Sequence, residues 1–255
     1  MSSDTFSTCV QISSSPSSSN SDKTFTLDPS DNLSYSTTYK IRVTTGVKDS
    51  AGNTLSSQYE TSSGFIILFT QQLGTSAIDV GYGVAADSAD NIYVTGYTEG
   101  VLDNNTSSGL SDIFLLKYNS SGTKQWTKQL GTAAADIGYG VAVDSSNNIY
   151  VTGITDGGLD GNTSSGGSDL ILVKYNSSGV KQWTKQLGTS STDVGNGVTV
   201  DSSDNIYVTG LTSGGLDGNT NSGGYDLFLV KYNSSGTKQW TQQLGSTSSD
   251  VGFRV

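Results

Sequence analysis

The strongest constraint on this chain is a repeat with a period of 57 residues. The segment Gln-Leu-Gly at residues 72–74 returns at 129–131, 186–188 and 243–245, each copy 57 residues after the previous one. A fixed period of this size is typical of repeat architectures, in which each copy buries its apolar faces only by stacking on its neighbours. The sequence therefore predicts an array whose function lies in the surface that the stacked copies present.

Composition indicates an all-β chain. The 255 residues include 32 Gly and 13 Tyr but only 2 Pro, and β-branched runs alternate with clusters of Ser, Asn, Asp and Gly that are typical of tight turns. No amphipathic helix stands out. A change in composition near residue 63 predicts a small module over residues 1–62 and a repeat domain over 65–255. The repeats span about 72–128, 129–185 and 186–242, with a partial copy at 243–255.

Charge and residue content disfavour several functions. The formal net charge of −10 argues against nucleic acid and anionic membrane surfaces as partners, since both need clustered Lys and Arg. Cys9 is the only cysteine, so no intrachain disulfide and no cysteine zinc site is available. The sequence has no run of 18 apolar residues that would span a membrane, and residues 1–20 do not resemble a signal peptide.

The first module carries the alternating pattern of half-buried strands. Tyr39, Ile41 and Val43 alternate with polar residues, which is the period of a strand with one wet face. The stretch TFTLDPSDNLSYSTTYKIRVTTGVKDSAGNTL, within residues 20–62, resembles the C-terminal half of bacterial Ig-like domains of the SbsA type. The resemblance implies a β-sandwich of about 100 residues, used in surface and secreted proteins. We therefore expect a partial sandwich whose first strands, and any export signal, would lie upstream.

The sequence pattern of each repeat predicts four short antiparallel strands. In the second copy they are Gly140 to Asp144, Ile149 to Thr155, Asp169 to Tyr175 and Val180 to Leu187. The third strand is apolar at consecutive positions, which predicts burial on both faces by neighbouring repeats. The fourth strand carries lysines that suit an exposed edge. Four antiparallel strands per repeat is the content of a propeller blade.

The repeat also resembles a known family. The phrases GVAVDSSNNIYVTGIT, GGLDGNTSSGGSDLILVKYNSSG and KQWTKQLGT, within residues 140–189, are similar to the SBBP family of bacterial β-propeller repeats, and the similarity extends over 72–255. It implies a propeller in an exported or cell-surface protein and no catalytic residues. Propellers close with about four to eight blades, whereas this chain holds three full units. The expected architecture is a partial Ig-like sandwich followed by blades that do not close a ring. We interpret the chain as a fragment of a longer protein, as an open arc of three blades, or as an arc completed by self-association through exposed blade faces.

Aspartates recur in every repeat and fall into two kinds. Asp87, Asp144 and Asp201 end the first strand and are predicted to bond the amides of the following turn. The second kind lies in or closes the long loop between the second and third strands: Asp103, Asp112, Asp160, Asp169, Asp217 and Asp226.

Successive connections of a meander alternate ends, so the long loop is expected to share a rim with the connection between blades. That connection carries Asp79, Asp136, Asp193 and Asp250. Carboxylate and amide oxygens are the ligands that Ca²⁺ accepts, which makes the six long-loop aspartates calcium candidates. Alternatively, these loops are turn-forming sequence whose Asp and Asn side chains bond their own backbone.

The leading functional hypothesis is a non-catalytic surface or secreted protein that binds or adheres to a protein or glycan ligand at the loop rim. The chain has no His, which removes the usual general base, and we expect no enzyme activity. A structural spacer or stalk segment without a ligand is the alternative from another class. A propeller glycosidase or lyase is a weaker alternative, because such an enzyme needs a unique pair of carboxylates, whereas Asp recurs in every repeat.

Overall fold

The structure is a computed structural model that describes residues 17–19, 24–26, 38–43, 52–54, 56–60, 65–66 and 72–253. The chain divides into two compact units, Met1–Gln71 and Gln72–Val255. The described part of the first unit consists of antiparallel strand pairs. These are β1 (Ser17–Ser19) with β2 (Thr24–Thr26), β3 (Thr38–Tyr39) with β6 (Phe65–Ile66), and β4 (Arg42–Val43) with β5 (Tyr59–Glu60).

The second unit holds three four-stranded antiparallel sheets, one for each repeat. The first contains β7 (Asp79–Ala86), β8 (Ile92–Thr98), β9 (Asp112–Tyr118) and β10 (Lys124–Leu130). The second contains β11 (Asp136–Val143), β12 (Ile149–Thr155), β13 (Asp169–Tyr175) and β14 (Lys181–Leu187). The third contains β15 (Asp193–Val200), β16 (Ile206–Thr212), β17 (Asp226–Tyr232) and β18 (Lys238–Leu244).

Each strand pairs with the next one along the chain, so every sheet is a simple meander. The predicted all-β class and the four-strand blade are confirmed, and the three sheets do not close a ring within the described residues. Short 3₁₀ turns at Leu159–Gly161 and Leu216–Gly218 lie in the long loops. No helix in the described part of the chain is long and apolar enough to cross a membrane.

The first strand of each repeat differs from its prediction. The alternation in the second copy predicts a strand from Gly140 to Asp144, whereas β11 begins at Asp136 and ends at Val143. The pairing of β11 with β12 shifts between Gly138 and Gly140, because Tyr139 is an extra residue that forms a β-bulge. A bulge breaks the period-two pattern, so the pattern detects only the half of the strand that follows it.

The blades stack through two apolar layers. Between the first and second sheets, Ile113 and Leu115 pack with Val151, Ile171 and Val173. An equivalent layer lies between the second and third sheets, where Leu170, Leu172, Val208, Phe228 and Val230 contact one another. Residues 170–173 are completely buried because each of these layers covers one face of β13. This confirms the prediction of two-sided burial for the third strand.

A second contact between blades lies at their outer edge. Trp126 packs against Tyr93 of its own sheet, with ring centroids 6.1 Å apart, and Trp183 packs in the same way against Tyr150. A Cβ atom on Gly179, in the hairpin of the second blade, would lie 3.0 Å from the Trp126 ring, so this ring lies directly against that hairpin. Gly179 also has φ +73°, which L side chains rarely adopt.

Two valines at the same repeat position test the stacking. Val141 is 8% exposed between two blades, whereas Val84 is 71% exposed on β7. We expect Val141→Ala to lower the free energy of unfolding by about 1.5–3 kcal/mol, since two methyl groups leave a packed layer. Val84→Ala is expected to change it by less than about 0.5 kcal/mol. Denaturant titrations of both variants check this, and equal losses would show that the blades do not stack through this layer.

Candidate functional site

The six calcium candidates occupy two different environments. Asp103, Asp160 and Asp217 lie on the long loops with φ between +49° and +55°. Each carboxylate is paired with a lysine of its own fourth strand: Asp103 with Lys124, Asp160 with Lys181 and Asp217 with Lys238. Asp103 and Asp160 also accept hydrogen bonds from the hydroxyls of Thr127 and Thr184. These contacts fasten the loop to the outer strand.

The other three candidates, Asp112, Asp169 and Asp226, are completely buried. In the second blade, Asp169 Oδ2 accepts hydrogen bonds from Gln186 Nε2 at 2.7 Å and from the Ser165 amide at 2.8 Å. The same Gln186 side chain accepts from the Leu159 amide and donates to the Gly157 carbonyl. Gln129 and Gln243 make the same contacts in the other two blades, so the Gln of these three Gln-Leu-Gly segments holds the long loop against the sheet.

The buried carboxylate also explains why the Gln-Leu-Gly segment ends in Gly. Asp169 Oδ1 is buried without a hydrogen-bond partner, and a Cβ atom on Gly188 would lie 1.8 Å from it. Only a residue without a side chain leaves room for this oxygen. The first and third blades repeat the arrangement with Asp112 beside Gly131 and Asp226 beside Gly245.

The remaining repeated aspartates order turns. Asp144 Oδ1 accepts from the amides of Ser146 and Asn148, and its Oδ2 accepts from Asn148 Nδ2 and Tyr150 Oη. The predicted bonds to the following turn are thus present. At the connection between blades, Asp136 Oδ2 accepts from the Thr132 amide and hydroxyl. The carboxylates of the rim are used mainly to fold the rim itself.

The structure places the two kinds of loop at the same rim, as the meander predicts. The Asp136 amide donates to the Ser111 carbonyl, and the Asp193 amide donates to the Ser168 carbonyl. Even so, no group of three or more Asp, Glu, His or Cys side chains is arranged to hold a metal ion among the described residues. Calcium binding at the six aspartates stays a prediction.

A different set of side chains meets at the edge where the first strands of the blades lie together. Tyr82, Tyr139 and Asn196 are the bulge residues of β7, β11 and β15, and Phe253 occupies the next equivalent position. We call these four positions the bulge row. They line one open cavity of about 300 Å³. Bulges are common beside functional sites because they redirect a side chain out of the ladder.

The glycines on either side of each bulge residue make the row possible. A Cβ atom on Gly138 would lie 2.5 Å from Thr95 Oγ1 of the preceding blade, and one on Gly140 would lie 3.3 Å from the Cα of Gly197 in the next. The first strand therefore lies closer to the second strand of the preceding blade than a side chain at Gly138 would allow, and it comes close to the next first strand at Gly140. This close approach brings the bulge residues of successive blades side by side.

The aromatic members of the row contact one another. The rings of Tyr82 and Tyr139 are 5.1 Å apart between centroids and tilted by 56°, and Tyr97 lies 6.1 Å from Tyr82. Burial raises the pKa of Tyr139, with further contributions from Tyr82, Asp156 and Tyr97. Tyr139 therefore stays a neutral phenol at physiological pH. Asn196 is held by a 2.7 Å hydrogen bond from its Nδ2 to the Gly252 carbonyl.

Sequence reasoning missed the bulge row, although the sequence contains a signal for it. The motif Gly-x-Gly recurs at 81–83, 138–140 and 195–197, and its central residue is Tyr, Tyr and Asn. Neighbouring positions are nearly constant between copies. A variable residue between constant glycines indicates a side chain that the scaffold presents rather than packs.

Sheets of four antiparallel strands, repeated and stacked through their faces, define a β-propeller repeat protein. The family model of the SBBP β-propeller repeat matches residues 68–103, 125–160 and 182–217, and that of the bacterial Ig-like domain matches residues 2–70. The chain belongs to the proteins built from SBBP β-propeller repeats, and a bacterial Ig-like domain precedes the repeats.

Two curated relatives are similar to this chain. An uncharacterized WD repeat-containing protein of Acanthamoeba polyphaga mimivirus is 28% identical over 242 residues, covering 73% of this chain and 17% of the relative. The regulatory protein FlaEY of Caulobacter vibrioides is 28% identical over 157 residues, covering 56% of this chain and 16% of the relative. The chain thus spans less than a fifth of the length of either relative.

Equivalent aspartates in two blades, Asp136 and Asp79, are expected to change the folding stability in opposite directions as pH rises. Burial, with the nearby Asp112, raises the pKa of Asp136 above its ordinary value of 3.8 even though Thr132 donates to it. Burial would also raise the pKa of Asp79, but hydrogen bonds from the Thr75 amide and the Thr98 hydroxyl outweigh burial and lower it. A raised folded pKa contributes stability that is lost as pH rises through it, whereas a lowered one contributes stability that is lost as pH falls.

We therefore expect Asp136→Asn to gain stability relative to the parent chain as pH rises above 3.8. Asp79→Asn is expected to lose stability relative to the parent as pH rises towards 3.8 from below. Urea titrations between about pH 3 and about pH 7 measure both differences. The same sign for the two variants would contradict the burial of Asp136 between blades.

Proposed function

We propose that this chain is a non-catalytic binding module of a bacterial surface or secreted protein, and that its ligand occupies the cavity of the bulge row. The observation that carries the proposal is the contrast within the Gly-x-Gly motif. Gly83, Gly138, Gly140 and Gly195 are fixed by close contacts between blades, whereas the central side chains differ and share one cavity. A rigid scaffold that presents variable side chains is the usual arrangement of a recognition surface.

The chemistry of the described residues supports a binding role over an enzymatic one. The chain has no His, and Asp112, Asp144 and Asp169 are committed to hydrogen bonds that order loops and turns. The described residues that line the cavity are aromatic and amide side chains, without the His or carboxylate that most often serves in general acid–base catalysis. A protein or glycan of the cell envelope or surrounding matrix is the class of ligand that we propose.

A surface or secreted location is part of the proposal and is supported by the bacterial Ig-like domain that precedes the repeats. The relative named as a regulatory protein fits a propeller that works by binding. The long loops offer a second surface, since Val101 and Leu110 of the first loop are exposed where the second loop has Gly158 and Gly167.

Two substitutions separate the cavity from the loops. Tyr139→Asn places in the second blade the residue that the third blade has at the same position, so the scaffold tolerates it. Val101→Gly places in the first loop the residue of the second loop. We expect a screen of glycans and envelope proteins to yield a ligand whose affinity falls about tenfold or more in Tyr139→Asn and changes little in Val101→Gly.

The opposite pattern, loss with Val101→Gly alone, would move the site to the loop rim. Failure of every ligand in the screen to bind the parent chain would count against the binding role altogether. Circular dichroism and melting curves of the two variants serve as the control that both remain folded.

A structural role as a spacer or stalk is the second candidate, and the exposed blade faces favour it. Val84, Trp240 and Leu244 are exposed in the first and third blades, although their repeat equivalents Val141 and Trp183 pack between blades. Such faces fit self-association of one chain with another through the interface that the blades already use. Light scattering over a concentration series tests this role, which predicts a mass that rises with concentration.

A further inference from the structure

The bulge row is an aromatic site rather than a general polar one. Three of the four lining positions carry aromatic rings, namely Tyr82, Tyr139 and Phe253, and the fourth is Asn196. The two tyrosine rings form one wall, with an interplanar angle of 56°. A cavity of about 300 Å³ is at the small end of the range for ligand pockets, so it suits a small molecule or one chemical group.

The electrostatics of the site favour a cation. None of the described residues that line the cavity is charged, so none of them neutralises an anion. The chain carries a net charge of −10, which attracts cations and repels anions at low ionic strength. Asp156 is close enough to Tyr139 to interact with it electrostatically. The faces of neutral aromatic rings are themselves negative and attract a cation placed over them.

The hydrogen-bonding side chains of the site are neutral. Asn196 Nδ2 donates one of its two hydrogens to the Gly252 carbonyl, and the amide oxygen is an acceptor. Tyr139 remains a neutral phenol, because burial raises its pKa. A cation without strong hydration would lose little on entering a cavity lined by these neutral groups.

We propose that the bulge row binds a cationic group of its ligand, a quaternary or N-methylated ammonium held between Tyr82, Tyr139 and Phe253. Methylated ammonium groups suit such a cavity because they carry positive charge on an apolar surface, whereas a primary ammonium is strongly hydrated. The proposal rests on the proposed binding function and names the ligand chemistry of the same site.

Choline is the probe, and an alcohol in which a tert-butyl group replaces the trimethylammonium group is its neutral control of the same shape. Titration calorimetry of the full chain is expected to show saturable binding of choline, with the neutral alcohol weaker by about tenfold or more. Equal affinity for the two probes would overturn the proposal, because the charge would then contribute nothing.

Substitutions at Tyr139 give a second measurement. Tyr139→Phe keeps the ring face and is expected to hold the affinity for choline within about threefold, whereas Tyr139→Asn lowers it about tenfold or more. Asn is already present at this position in the third blade, so loss of folding is not the expected cause, and a melting curve of each variant checks this. Choline binding that is equal in Tyr139→Asn and the parent would place the cation elsewhere and overturn the proposal.

The two proposals fail in different ways. If choline does not bind while a neutral glycan or a protein binds with an affinity that depends on Tyr139, the cation proposal is wrong and the binding function of the bulge row stands. If no tested ligand responds to Tyr139→Asn, the bulge row is not a binding site and both proposals fall.

Discussion

The contact on which the second unit depends is the close approach of each first strand, at Gly138 and Gly195, to the second strand of the preceding blade, together with its approach to the next first strand at Gly140. A Cβ atom on Gly195 would lie 2.4 Å from Thr152 Oγ1 of the preceding blade, and the corresponding distance for Gly138 is 2.5 Å. Because no side chain intervenes, the apolar layers on either side of β13 can close. The bulge residues between the glycines are then the side chains that remain at this edge. Stacking and the presentation of a cavity are therefore two results of one packing requirement.

The repeated carboxylates of this protein mainly form hydrogen bonds that order the loops between the short strands. Asp169, Gln186 and Gly188 form one unit, in which the glutamine fixes the long loop and the glycine makes room for a buried carboxylate oxygen. The same unit recurs in each blade, which explains why Gln and Gly return at these positions of the repeat. The cost of a buried carboxylate is offset by hydrogen bonds on one oxygen only. Evenly repeated acidic residues thus indicate a repeated fold element more readily than a repeated metal site.

The sequence predicted the period, the four strands, the two-sided burial of residues 170–173 and the turn bonds of Asp144. Each of these depends on local patterns or on neighbours with the same sequence. The first half of β11 was not predicted, because the bulge at Tyr139 breaks the alternation and the flanking glycines carry no hydrophobic signal. The cavity of the bulge row could not be predicted, since it depends on how closely successive blades approach. Only the difference between Tyr139 and Asn196 at one repeat position pointed to it.

The most direct test of this account compares Gly138→Ala with Gly81→Ala, the same substitution at the same repeat position. A Cβ atom on Gly138 would meet Thr95 Oγ1 at 2.5 Å and Ile113 Cγ2 at 3.1 Å, whereas one on Gly81 would meet only Val94 Cγ1 at 3.7 Å. The measurement is the free energy of unfolding in urea. The account predicts a loss of about 1–3 kcal/mol for Gly138→Ala, from overpacking, and a change between zero and a gain of about 1 kcal/mol for Gly81→Ala. Equal effects in the two variants would contradict the claim that close contact of the first strand with the preceding blade holds the blades together.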